Sequence, residues 1–153
     1  MKPEPVFFID ANLCGREFLG RLREAGLSVE SHKDHFPQRT PDEDWLSIVG
    51  EHGWTTLTRD KRIRSRSRET DALMRAGARC FLLIAHKDED RQPIKLREMA
   101  DVFVRSLNEV YGFLKRHPGP FIAKIYCNPL HTDPERVSMW LTHSQWQERR
   151  GNL

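Results

Sequence analysis

The sequence predicts an α/β protein: a central, mostly parallel sheet covered by helices on both faces. Two observations carry this. Val6–Ile9 and Cys80–Ala85 are short, continuous apolar runs without polar alternation, the pattern of strands buried on both faces. Between and beyond them, apolar residues recur at spacings of three and four, so that strand-like and helix-like segments alternate. A chain of 153 residues suits one core.

The elements follow in order. Val6-Phe7-Phe8-Ile9 is the first strand. Glu17 to Ala25 reads as a helix with Phe18, Leu19, Leu22 and Ala25 on one face and Gly26 as its stop. Leu27 to Ser31 is a weaker strand. In Thr40-Pro41-Asp42-Glu43, Thr40 suits an N-cap, Pro41 the first helical position and Glu43 the third, a capping box. That helix has Trp45, Leu46, Ile48 and Val49 as its apolar face, and Gly53 ends it. Trp54 to Thr58 is a strand, and a basic loop follows. Glu69 to Ala76 reads as a short helix stopped by Gly77, and Arg79 to Ala85 as a buried strand. Lys87 to Gln92 reads as a charged surface loop. Lys95 to Arg116 carries the longest helical pattern, with Leu96, Met99, Phe103, Leu107, Val110 and Leu114 in phase. Phe121 to Tyr126 is the last expected strand, and Asp133-Pro134 suits the cap of a final helix through Trp146. The expectation is a single domain with its core over about 5–127 and a helical extension over about 128–153.

Composition narrows the function. No apolar run approaches bilayer length, the longest being the six residues Cys80–Ala85, and no signal-peptide-like segment follows Met1, so a cytoplasmic protein without a membrane partner is expected. Cys14, Cys80 and Cys127 are scattered without CxxC spacing, against a disulfide framework and against a zinc site. The net charge of +3 does not by itself imply nucleic acid, but Arg59 to Arg68 holds six basic residues and one acid.

In open α/β sheets ligands gather outside the carboxyl ends of the strands. Asp10 closes the first strand, and Asp60 lies two residues beyond the Trp54 to Thr58 strand. For a third acid, Asp42, Glu43 and Asp44 compete. At about 100° per residue, the centre of the apolar face lies about 50° from Asp42, about 110° from Asp44 and about 150° from Glu43. Asp42 therefore borders the buried face and is chosen, with Asp44 in reserve. Carboxylates held together repel, and a hard divalent cation such as Mg²⁺ relieves the repulsion through oxygen ligands. Such an ion activates water and stabilises charge on a phosphodiester in flight. Asn12 is placed to orient a carboxylate or a water, and Glu69 is a candidate fourth acid. Each acid taken alone has a plainer role as a turn or first-turn residue. Their joint placement at one sheet edge favours a site. Arg59, Lys61, Arg62, Arg64, Arg66 and Arg68 flank it and suit phosphate contacts. Trp140 and Trp146 read as packing residues, and His32 and His35 as loop histidines.

The runs Phe7-Phe8-Ile9-Asp10-Ala11-Asn12-Leu13, His35-Phe36-Pro37, Thr40-Pro41-Asp42-Glu43-Asp44-Trp45-Leu46 and Thr58-Arg59-Asp60-Lys61-Arg62-Ile63-Arg64 resemble the PIN-like domains, most of all the branch related to VapC-type toxins. The resemblance covers about residues 6 to 85. It implies a three-layer α/β/α fold, Mg²⁺ or Mn²⁺ as cofactor, and ribonuclease activity directed at single-stranded RNA. It carries Asp10, Asp42 and Asp60 over as metal ligands, and it implies a toxin–antitoxin setting with an antitoxin partner and dimerisation. One departure stands out: many relatives place another acid or an aromatic just past the Thr-x-Asp, where this chain has Lys61 and Arg62. The alternative reading is a PIN-like protein that binds nucleic acid without cleaving it. A phosphoacceptor receiver fits less well, because it wants two adjacent acids after the first strand and Ile9-Asp10-Ala11 offers one.

Overall fold

A computed structural model describes residues 5–85, 94–127 and 136–151. Its elements are β1 (Val6–Ile9), α1 (Arg16–Glu24), β2 (Ser28–Ser31), α2 (His32–His35), α3 (Asp42–Glu51), β3 (Thr55–Thr58), α4 (Ser67–Arg75), β4 (Arg79–Ala85), α5 (Leu96–Arg105), α6 (Leu107–Arg116), β5 (Phe121–Cys127), β6 (Val137–Thr142) and α7 (His143–Gly151). Short 3₁₀ turns follow β1 at Ala11–Leu13 and β3 at Lys61–Ile63.

The six strands form one sheet in the order β2-β1-β3-β4-β5-β6. The first five are parallel and β6 pairs antiparallel with β5. Side-chain alternation along each strand divides the core in two. Phe7, Ile9, Leu57, Phe81, Ala123 and Ile125 meet α1, α5 and α6 on one face. On the other, Phe8, Cys80, Ile122 and Leu141 meet Trp45, Leu46 and Val49 of α3, Leu73 and Met74 of α4, and Trp146 of α7. This is the expected α/β/α sandwich, and it explains why β1 and β4 read as continuous apolar runs: both faces are buried. No helix among the described residues is long and apolar enough to cross a membrane.

Four expectations are corrected. The capping box at Thr40 does not form: α3 starts at Asp42, Pro41 takes the N-cap position without a side-chain bond, and the Thr40 hydroxyl donates to the Pro37 carbonyl at 2.8 Å. Glu43 is therefore not held by a capping role. Ile48, expected on the buried face, is 42% exposed; the face narrows to Trp45, Leu46 and Val49. The helix expected over Lys95 to Arg116 breaks at Ser106 into α5 and α6. There the buried Ser106 hydroxyl donates back to the Val102 carbonyl at 2.7 Å and accepts from Arg136 Nη1 at 3.1 Å, an insertion into the helix ladder of the kind that bends helices. Finally, the C-terminal region is not wholly helical. Val137–Thr142 forms β6, because β5 offers a free sheet edge and Val137, Met139 and Leu141 supply apolar cover. The helix begins only at His143, and the expected Asp133-Pro134 cap and the Lys87 to Gln92 loop lie outside the described residues.

Candidate functional site

Asp10 sits at the carboxyl end of β1, between the ends of β2 and β3, with 7% of its surface exposed. Its backbone N–H still belongs to the sheet, donating to the Leu57 carbonyl at 3.0 Å. One carboxylate oxygen caps the turn that follows, accepting from Ala11 N at 2.7 Å. The other accepts the Thr58 hydroxyl hydrogen at 2.7 Å. That hydroxyl in turn accepts from Asp60 N at 3.1 Å and from the Asn12 amide at 3.2 Å, filling its one donor and two acceptor positions. Asn12 closes the network, with its Nδ2 at 3.4 Å from Asp10 and its Oδ1 accepting from Arg59 N at 3.3 Å. The ends of β1 and β3 are thus tied through side chains.

The remaining acids approach from the α3/α4 side. Asp42 opens α3 and accepts from the Trp45 indole at 2.9 Å. Asp60 caps the second turn and holds Arg62 twice, at its N–H and at its Nε, both at 3.1 Å. Glu69, in the first turn of α4, accepts from Arg66 at 3.4 Å through one oxygen; its other oxygen is buried without a hydrogen-bond partner. Asp44 is exposed.

These carboxylates share an electrostatic environment. Burial pushes the Asp10 carboxyl above its ordinary value, Asp42 adds to the rise, and the bonds from Thr58 and Ala11 oppose it. Burial also pushes Glu69 up, and Asp42 and Asp60 add to that rise against the pull of Arg66. The charges of Asp42, Asp60 and Glu69 therefore reach one another or Asp10. An oxygen-only donor set with repelling charges and an orphaned Glu69 oxygen fits a hard divalent ion. As the side chains stand, no three His, Cys, Asp or Glu among the described residues converge at metal-binding spacing. Asp60 is turned into its bonds with Arg62, and Asp42 into its bond with Trp45. Burial pushes the Cys80 and Cys127 thiols up, so neither offers a thiolate.

Hydrogen bonds through Thr58 therefore join Asp10, Asn12 and the backbone of Asp60, Asp42 acts by its charge on Asp10 and on Glu69, and Asp44 stays on the surface. Of the basic loop, Arg59, Lys61 and Arg68 are exposed without an ion pair among the described residues, and Arg62 and Arg66 are engaged by Asp60 and Glu69. Arg64 turns instead onto the Trp140 ring, its guanidinium carbon 4.7 Å from the centroid. The Thr70 hydroxyl ties this loop to α4 by donating to the Ile63 carbonyl at 2.7 Å. Sequence reasoning valued the Thr-x-Asp pattern but gave Thr58 no role; the pattern itself was the available signal. His32 is buried among Phe8, Phe36 and Trp45. His35 pairs with Glu30 at 2.7 Å.

A family model described as "PIN like domain" matches residues 5–85, the stretch from β1 through β4 that supplies all of these acids. Neither the curated proteins nor the solved structures gave a match.

Proposed function

The chain belongs to the PIN-like domain family, a family of nuclease type, and from that membership and its acidic sheet edge we propose that it is a divalent-metal-dependent endoribonuclease acting on single-stranded RNA. The observation that carries the reading is the bond from Thr58 to Asp10: a carboxylate nearly excluded from solvent is fixed by a hydroxyl from the neighbouring strand, with Asp42 close enough to repel it.

Asp10, Asp42 and Asp60 would hold Mg²⁺ or Mn²⁺, with Glu69 completing the set in place of the acid missing at Lys61 and Arg62. The chemistry supplied by the ion when bound is water activation and neutralisation of charge on the phosphodiester. The protein's own residues do the rest. Thr58 and Asn12 hold the Asp10 oxygens in one orientation, a supporting layer of the kind that tunes metal sites. Exposed Arg59, Lys61 and Arg68 bind the RNA backbone without reading its sequence. Arg62 shields Asp60 until a phosphate draws the guanidinium away.

The test is cleavage of single-stranded RNA in Mg²⁺ or Mn²⁺ by the wild type and by Asp10→Asn. Cleavage by the wild type that chelator and the substitution both abolish supports the reading; equal cleavage by both proteins removes it. The engagement of Asp60 by Arg62 favours a second reading, a nucleic-acid binder without hydrolysis, which predicts RNA binding in chelator and no cleavage in any metal. A toxin role with an antitoxin partner, and homodimerisation, rest on the Thr40 to Leu46 resemblance. Growth arrest on expression, relieved by a co-expressed neighbouring reading frame, tests the first, and sedimentation tests the second.

A further inference from the structure

On the α3/α4 side of the sheet, along the carboxyl half of β5 and the part of antiparallel β6 beside it, cations and rings stand next to one another. The register between β5 and β6 shifts at Ile122/Ala123: Ile122 faces Leu141 while Ala123 faces Met139, leaving Trp140 as the extra residue of a bulge. Bulges re-aim side chains, and here Trp140 joins Leu141 on the α3/α4 side. The Lys124 ammonium stands 5.4 Å from the Trp140 ring centroid and 5.4 Å from that of Tyr126. Arg64 lies over the same indole. Tyr126 is 39% exposed, one of two large hydrophobic side chains so placed among the described residues.

Three features distinguish this group from packing alone. Neither Arg64 nor Lys124 forms an ion pair with a described carboxylate, and Arg64 Nε is buried without a hydrogen-bond partner. Burial lowers the Arg64 guanidinium, and the charge of a second cation, Arg149, lowers it further. The group is also continuous with the acidic edge: Thr58 is in register with Leu82, and Leu82 with Lys124, so one row of the sheet runs from the hydroxyl that holds Asp10 to this lysine. Two inter-strand steps of about 4.8 Å separate them.

Uncompensated cations interleaved with rings are what a nucleic-acid single strand needs: phosphates meet the cations, and a base finds a π-face whatever its identity. A guanidinium already stacked on an indole also loses little freedom when it meets a phosphate. We propose that Tyr126 and Trp140, with Arg64 and Lys124 beside them, form a stacking platform that holds the flank of a single-stranded RNA whose scissile phosphodiester enters the acidic edge. This rests on the ribonuclease reading and adds a path for the strand.

The experiment measures binding of a labelled single-stranded RNA oligomer in chelator, where no cleavage occurs, by wild type, Tyr126→Ala, Lys124→Gln and Trp140→Phe. Cleavage of a dinucleotide too short to reach from Thr58 to Tyr126 is measured beside it with metal. The expected result is about tenfold weaker oligomer binding for Tyr126→Ala and for Lys124→Gln, a smaller loss for Trp140→Phe, and unchanged dinucleotide cleavage. A duplex of the same sequence should bind wild type and Tyr126→Ala alike. Equal oligomer binding by all four proteins overturns the platform and leaves the nuclease reading intact. Loss of dinucleotide cleavage in Tyr126→Ala overturns it too, by showing an effect on the acidic site. A wild type that binds no RNA oligomer overturns the reading beneath it.

Discussion

The Thr58 hydroxyl donates to Asp10 at 2.7 Å across two neighbouring parallel strands, and it is the only side-chain donor at hydrogen-bonding distance under 3 Å from that carboxylate among the described residues. Its γ-oxygen also receives the Asp60 N–H, so one side chain sets the position of two acids.

Thr58→Val keeps the shape of the strand and removes the hydroxyl. The bond it deletes pulls the Asp10 carboxyl down against the upward push of burial. Its loss raises that carboxyl further, so deprotonation, and with it the proposed metal binding, should move to higher pH. RNA cleavage should fall about 10–100-fold near neutrality, the usual cost of losing a supporting bond at a metal site. The acid limb of the pH–rate profile should move upward. A profile with the wild-type acid limb would show that Thr58 does not govern Asp10.

Asp10 also leaves a mark on stability. Its folded carboxyl is raised from the ordinary value of 3.8 by burial. A raised acid binds its proton more tightly when folded, so its contribution is most favourable below 3.8 and is lost as pH climbs through the folded value. Asp10→Asn has no such loss. In metal-free protein the melting temperature of the variant relative to wild type should therefore improve from low pH to neutrality, by about 2–4 °C for each kcal/mol involved. A difference that is flat with pH, or that moves the other way, contradicts the buried-charge account.

How much of this was legible beforehand follows from the range of the interactions. Val6–Ile9 and Cys80–Ala85 announced themselves because both are continuous apolar runs, the usual composition of parallel strands covered on both faces. Asp10 and Asp60 were legible because the carboxyl ends of such strands are where sites form. Ser106 was not: it lies in phase within an unbroken helical pattern, and the break depends on Arg136, thirty residues away in sequence. β6 was hidden because Val137 to Thr142 is short and becomes a strand only when β5 offers an edge. The partnership of Arg64 with Trp140 has the same character, since the residues belong to distant segments and meet through a bulge. Thr40 does not cap because α3 begins at Asp42 with Pro41 at the N-cap position, one residue past Thr40, whose hydroxyl donates to the Pro37 carbonyl.

The α3/α4 contact makes a separate, structural prediction. A β-carbon built on Gly50 would stand 2.5 Å from the Ala76 β-carbon and 2.8 Å from the Ala76 carbonyl oxygen. Because backbone is involved, relief requires the helices to part. Gly50→Ala should destabilise by about 1–3 kcal/mol despite the better helix propensity of alanine. Gly20, inside α1, has nothing within 4 Å of the same position, and Gly20→Ala should stabilise by about 0.5–1 kcal/mol. Denaturant melts of the two variants check the pair. Equal effects would mean that α3 and α4 are not in the contact described.

Arg62 carries the last prediction. It holds Asp60 through both its backbone N–H and its side-chain Nε. The side-chain bond can be deleted alone, because Arg62→Ala retains the backbone N–H and hence the turn at Lys61–Ile63. If the guanidinium occupies the place that a cation would take, Mg²⁺ or Mn²⁺ should bind the RNA-free variant more tightly than the wild type, by several-fold in titration calorimetry. The same variant should bind RNA more weakly, with a shallower salt dependence, because one phosphate contact is gone. Weaker metal binding in Arg62→Ala would mean instead that the arginine organises Asp60 for the ion rather than competing with it.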